Sequence, residues 1–144
     1  MTPAQPQSSG ASQSRARFKL RKEHMEAMEK AAEPKFIDEI CEHLRSTQAD
    51  DVAPLPDDVL KARVEVGVAR ARTHELRTQQ AITAFVSLMF AIAPNFDEHA
   101  VARQCLTDQT TEPDARMDLL GERMSITDWQ AAKALANPKA WEKR

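Results

Sequence analysis

The segment Ala81 to Ala93, AITAFVSLMFAIA, constrains this chain more than any other stretch. Read at 3.6 residues per turn, it is a helix with Ile82, Phe85, Val86, Met89 and Phe90 on one face, while Leu88 and Ile92 fall on others. A helix apolar nearly all round has to be surrounded, by its own domain or by a partner. Thr83 and Ser87 interrupt the run, and it falls short of the ~20 residues that a membrane span requires. No membrane span is expected.

What surrounds that helix follows from two scarcities. The 144 residues include three glycines and no tyrosine, and aromatics make up 5%. Sheets draw on glycine for hairpin turns and on β-branched and aromatic residues for strands, so an all-β fold is disfavoured. Gly10, Gly67 and Gly121 cannot be arranged into GxGxxG or GxxxxGK[ST], which removes the glycine-rich phosphate cradles.

The other segments also read as helical. Residues 1–16 are Pro, Gln, Ser, Gly and Ala without periodicity, a composition that predicts a disordered tail. Helical spacing begins near Phe18 and passes through Met25, Met28 and Ala32, with a break or kink predicted at Pro34. Phe36, Ile37, Ile40, Cys41 and Leu44 then form one apolar stripe. Ser46 to Pro56, with two prolines and polar neighbours, reads as a connector. Asp57 and Asp58 open a second helix with Leu60, Val64, Gly67, Val68 and Ala71 on one side. Gly67 costs ~1 kcal/mol against alanine inside a helix, and its spacing with Val64 and Val68 favours a close helix crossing over simple tolerance. Thr78 is positioned to cap the central helix. Asp97 is positioned to cap a helix bearing Val101, Cys105 and Leu106, and Thr111 to Asp114 give a further start signal, leading to Met117, Leu120 and Met124. Ser125 to Asp128 restart the chain towards Trp129, Ala132 and Leu135, followed by a short tail with Trp141. The fold class expected is all-α: a compact bundle of five to six helices forming one domain over residues 17–144.

Chemistry is sparse. His24, His43, His74 and His99 are scattered one per segment, without HExxH or a Cys/His cluster, and no zinc or di-metal ligand set can be assembled. Asp50-Asp51 and Asp57-Asp58 are better explained by solvation and capping than by acid–base catalysis, and no GxSxG is present. No catalytic residue, metal or cofactor is expected, and the chain is read as non-enzymatic. Cys41 and Cys105 stand alone and are read as buried reduced thiols. No apolar signal-peptide core begins the chain, so a cytoplasmic location is the default. Twenty basic and twenty-two acidic residues give a net charge of −2, which argues against capture by nucleic acid through overall field. Arg15, Arg17, Lys19, Arg21 and Lys22 form the densest basic patch. Arg63, Arg70 and Arg77 share a stripe, with Arg72 nearby, if the second helix reaches that far. Such a stripe suits an anion or partner surface, or a solvated face balanced by Glu65 and Glu75.

One resemblance bears on function. From Leu60 to His99 the chain reads V-x-x-G-x-x-R-A, then T-x-x-x-I-x-x-F-V-x-L-M-F, then an N-F-D turn, preceded by Phe36 and His43-Leu44-Arg45 as F-x-x-x-x-x-x-H-L-R. Over roughly Met25 to Leu106 this resembles a family of small uncharacterised bacterial proteins encoded beside type VI secretion spike, tip and effector genes. Ala93-Pro94-Asn95 departs from it, standing where glycine is more usual. The resemblance implies a helper: an adaptor or chaperone that binds a secreted effector or a component of the spike and tip.

Three classes of function are carried forward: that binding module, an immunity protein that neutralises a toxin, and a small regulatory or nucleic-acid-associated helical protein using the Arg15–Lys22 patch. Phe85, Met89, Phe90 and Phe96 are the partner anchors if the central helix or its turn is partly exposed. If they are core, Arg70, Arg72, His74 and Arg77 become the surface candidates.

Overall fold

The computed structural model describes residues 33–142. The expected disordered tail, the basic patch at Arg15–Lys22 and the helical spacing up to Ala32 lie outside the described residues. The chain divides into two units, Met1–Phe36 and Ile37–Arg144. Among the described residues the structure is entirely helical and turn, with no strand, as the scarcity of glycine and tyrosine leads one to expect.

Among the described residues, helix α1 covers 33–47, with Pro34 near its first described residue. Ile37, Ile40 and Leu44 are buried, as the stripe predicts. The connector contains a helix: α2, Ala49–Val52, folds inside Ser46–Pro56. Arg45 is the reason. Its Nη1 donates to Val52 O at 2.8 Å, and its Nη2 donates to Leu55 O at 2.8 Å and to Asp57 Oδ1 at 2.9 Å. The Gln48 side-chain amide also donates to Ser87 O at 3.1 Å, so a segment rich in proline and polar residues is stapled on both sides.

Helix α3, Asp57–Thr73, follows Pro56 and carries Asp57 and Asp58 in its first turn. It buries the predicted residues Leu60, Val64, Gly67, Val68 and Ala71. Its end is a full Schellman motif: Leu76 N donates to Ala71 O at 3.3 Å and Glu75 N to Arg72 O at 2.9 Å. Glycine usually supplies the left-handed residue of this motif, but here Glu75 adopts it, at φ 70°. Buried Leu76 anchors the exit.

Helix α4, Gln79–Ala91, is the central helix. Thr78 Oγ1 accepts from Ala81 N at 3.1 Å, as the sequence suggests. Ala81, Ile82, Phe85, Val86 and Met89 are buried, while Leu88 and Phe90 are half-buried. α3 and α4 meet at Gly67. A Cβ there would stand 3.0 Å from Val86 Cγ2 and 3.3 Å from Met89 Sδ, so the glycine marks a close crossing.

A 3-10 turn over Phe96–Glu98 leads into α5, Ala100–Leu106. The residue capping α5 is His99, not Asp97, which is buried in the turn itself. The next helix likewise starts later than expected: α6 is Arg116–Arg123, and Asp114 caps nothing in it. The Asp114 carboxylate instead accepts the backbone amides of Arg77 at 2.8 Å and Thr78 at 3.3 Å, bracing the α3–α4 corner. Helix α7, Ile126–Ala134, begins with a capping box in which Ser125 and Asp128 satisfy each other's amides. A final 3-10 turn, Pro138–Trp141, returns to the body. There Trp141 packs on Phe90, ring centroids 4.7 Å apart, and Arg63 lies 5.4 Å from its ring centroid.

Candidate polar sites and the outer helix

Arg70 and His74 lie one turn apart on the last turns of α3 and therefore share a face. Opposite them the 3-10 turn presents Asp97. Arg70 grips this carboxylate with both prongs, Nε to Oδ2 and Nη2 to Oδ1, each at 2.8 Å, and Nη2 also reaches Glu98 Oε2 at 3.1 Å. His74 Nε2 lies 2.8 Å from Asp97 Oδ2, where the carboxylate acts as acceptor and the ring donates. Asp97 is only 6% exposed. Burial pushes its carboxyl upward, but hydrogen bonds from His74 and Arg70, together with their charge, outweigh this and hold it below the ordinary aspartate range. The fork to Asp97 in turn raises Arg70 above the usual guanidinium value.

An aromatic chain lies beneath the cluster. The His74 ring sits 5.4 Å from Phe85, Phe85 lies 4.9 Å from Phe96, and Phe96 lies 6.3 Å from Trp129, all tilted. The acid–imidazole pair superficially resembles half of a catalytic dyad. However, Arg70 already neutralises the carboxylate with two hydrogen bonds, and the ring packs beside Phe85. Chemically, the arrangement fastens the α4–α5 turn to α3.

A second arginine makes a different clamp. Arg116, 3% exposed, directs Nε to Asp108 O at 2.9 Å and Thr111 O at 3.2 Å, and Nη1 to Leu106 O at 3.2 Å and Glu75 Oε1 at 3.3 Å. Three of these four acceptors are main-chain carbonyls of the α5 end and the α5–α6 loop. That loop is further shaped by Asp108, whose carboxylate accepts from Thr110 Oγ1 at 2.6 Å, Thr110 N at 2.9 Å and Thr111 Oγ1 at 3.2 Å. Hydrogen bonds from Thr110 hold Asp108 below the ordinary carboxylate range.

The sequence candidates divide accordingly. Arg70, His74, Phe85 and Phe96 come together, facing inward. Phe85, Met89 and Phe96 are core residues, and Phe90 is half-covered by Trp141. The expected stripe of Arg63, Arg70 and Arg77 does not form, because α3 ends at Thr73. Arg77 is exposed on the following connection, and half-buried Arg72, two residues from Arg70, falls on another side of α3. The anticipated balance with Glu65 and Glu75 is also different: Arg70 pairs with Asp97 and Glu98, and Glu75 with Arg116. Cys105 is buried but Cys41 only half so; burial pushes both thiols up. Among the described residues no group of three or more His, Cys, Asp or Glu side chains is arranged to hold a metal ion, and no helix is long and apolar enough to cross a membrane.

Sequence reasoning read Asp97 as a cap and α7 as a helix but named neither as a site, and it passed over Arg116. Only Ala132 of α7 is fully buried. Ile126 at its start is 76% exposed and Leu135 at its end 72%, with Trp129 half-buried between them. Asp97 carried a signal, since it lies in the N-F-D turn opposite two basic residues. Arg116 carried none.

Comparison of the chain with protein-family models, with curated proteins and with solved structures finds no match in any of the three.

Proposed function

We propose that this protein is a non-enzymatic protein-binding module: a cytoplasmic adaptor or chaperone for a secreted bacterial effector, in the type VI secretion setting that the motifs between Met25 and Leu106 suggest. The observation that supports binding most directly is α7. A helix with exposed Ile126 and Leu135 at its ends and half-buried Trp129 between them offers apolar anchors that a partner can desolvate. Aromatic anchors ringed by less critical contacts supply most interface energy. The polar groups that first suggested a surface, Arg70 and His74, are engaged with Asp97. Recognition is therefore assigned to α7 and not to the arginines of α3.

The test is co-expression with tagged products of the adjacent genes, beside an Ile126→Asp/Leu135→Asp double variant. The wild-type chain is expected to co-purify with an effector whose activity persists, and the double variant to recover at least tenfold less at an unchanged Tm. Retention by the double variant, or no partner at micromolar concentration, overturns the proposal. Loss of the toxin's activity in the complex identifies an immunity protein instead.

A further inference from the structure

Two histidines, His74 at the end of α3 and His99 in the α4–α5 turn, hold that turn in opposite hydrogen-bonding roles. His74 Nε2 is 2.8 Å from Asp97 Oδ2 and donates to it. His99 accepts: its Nδ1 takes the Val101 amide at 3.3 Å as the cap of α5. An imidazole nitrogen can accept a hydrogen bond only while it carries no proton. The Val101 donation therefore places the neutral ring's proton on Nε2. His99 Nε2 lies 4.0 Å from Asp128 Oδ1 of α7, while Asp128 Oδ2 is occupied by the Ser125 amide at 2.9 Å. That carboxylate is beyond hydrogen-bond reach of the ring and acts on it through charge alone.

We infer that His99 is a proton-sensitive cap, so that protonation of its ring releases the first turn of α5 while the Arg70–Asp97–His74 lock beside it stays closed. Protonation at Nδ1 removes the acceptor that His99 gives the Val101 amide and places a positive charge at a helix N-terminus, where the macrodipole opposes it. Asp128, 4.0 Å away, attracts the imidazolium but offers nothing to Val101. The remaining charges nearby act elsewhere. Arg70 and His74 of α3 bind Asp97, with Arg70 also on Glu98. Arg103 of α5 is exposed one turn on, with its amide on His99 O at 2.8 Å. Arg116 and Arg123 of α6 act at the far end of α5, around Leu106, Cys105 and Asp108. Protonation at His74 has the opposite sign, adding charge to a bond already donated to Asp97.

The experiment follows amide and imidazole nitrogen resonances of the full chain between pH 7.5 and pH 5.5. At pH 7.5 the His99 ring is expected as the Nε2–H tautomer. Hydrogen-exchange protection at Val101, corrected for intrinsic rate, is expected to fall about tenfold on acidification, while amides at Phe96 and Glu98 hold theirs. In His99→Asn, whose side chain caps well but does not titrate, Val101 is expected to keep its protection across the range. An Nδ1–H tautomer in the wild type, or a Val101 profile independent of pH or shared with His99→Asn, overturns the inference. The tautomer reading needs no variant, so it decides the matter even if the substitution perturbs folding.

Discussion

Arg70 and Arg116 are both drawn inward in this fold, yet they are satisfied by different means. Arg70 meets a carboxylate with ideal fork geometry and a histidine on the far side, so charge answers charge. Arg116 is more deeply enclosed, but it meets mainly carbonyl oxygens, and its one acidic partner, Glu75, is largely in solvent. The contrast shows two ways of fixing a loop without glycine or a buried sheet. One builds a compact ion cluster that depends on the ionisation of Asp97. The other spends a permanent cation on dipoles that never titrate, where removal of the cation strands two acceptors at once.

The sharpest test of the difference is Arg116→Met, which keeps volume but strips the carbonyls of Leu106, Asp108 and Thr111 of their shared donor. Asp108 O keeps the Thr111 amide, so the carbonyls of Leu106 and Thr111 are the ones stranded; each stranded buried acceptor costs about 1–3 kcal/mol, so a loss of ~3 kcal/mol is expected in urea unfolding. A loss below ~1 kcal/mol would show that water replaces the guanidinium and that the clamp is dispensable.

Asp97→Asn is the matching probe of the other site, with an expected loss of ~2 kcal/mol at neutral pH, because Arg70 keeps Glu98 and some access to solvent. Its pH dependence is more telling. Asp97 is held below its unfolded value of ~3.9 in the folded protein. The stability it contributes is therefore fully present above that value and is lost as pH falls through the lower folded pKa. The gap between wild type and Asp97→Asn should be constant from pH 7 to pH 5 and should shrink by pH 3, whereas the gap for Arg116→Met should persist. Equal gaps at pH 3 and pH 7 for Asp97→Asn would contradict the ion-cluster description.

The smallest effect belongs to Glu75. Glycine there relieves the left-handed backbone at φ 70°, a gain of ~1 kcal/mol, and forfeits one solvent-exposed contact to Arg116 worth ~0.5 kcal/mol. Glu75→Gly should be slightly stabilising by thermal melting. A loss above ~1 kcal/mol would mean that Arg116 relies on its ion pair after all, and the two sites would then be of one kind.

Local patterns are what the chain shows before it folds. The stripe of α1, the acidic start of α3, the Thr78 cap and the Gly67 crossing could all be read, because each depends on residues within one or two turns. The misreadings share a cause. Ser46–Pro56 looks like a connector until Arg45 folds back over it, and Asp97 and Asp114 look like caps until α3 and its corner claim their carboxylates. Glu75 conceals the end of α3, since the usual glycine signal is missing.

The amino-acid sequence by itself determined that the chain is all-helical and that α4 must be enclosed, because periodicity and the shortage of glycine and tyrosine act residue by residue. Only the tertiary structure decided where the arginines go, which carboxylates they meet, and that α7 buries Ala132 alone. The carboxylate contacts of Arg70, His74 and Arg116 join partners 23 to 41 positions apart, from the His74–Asp97 contact to the Glu75–Arg116 pair. Nothing in a local stretch indicates which distant donor will reach an acceptor first; packing of the helices settles it.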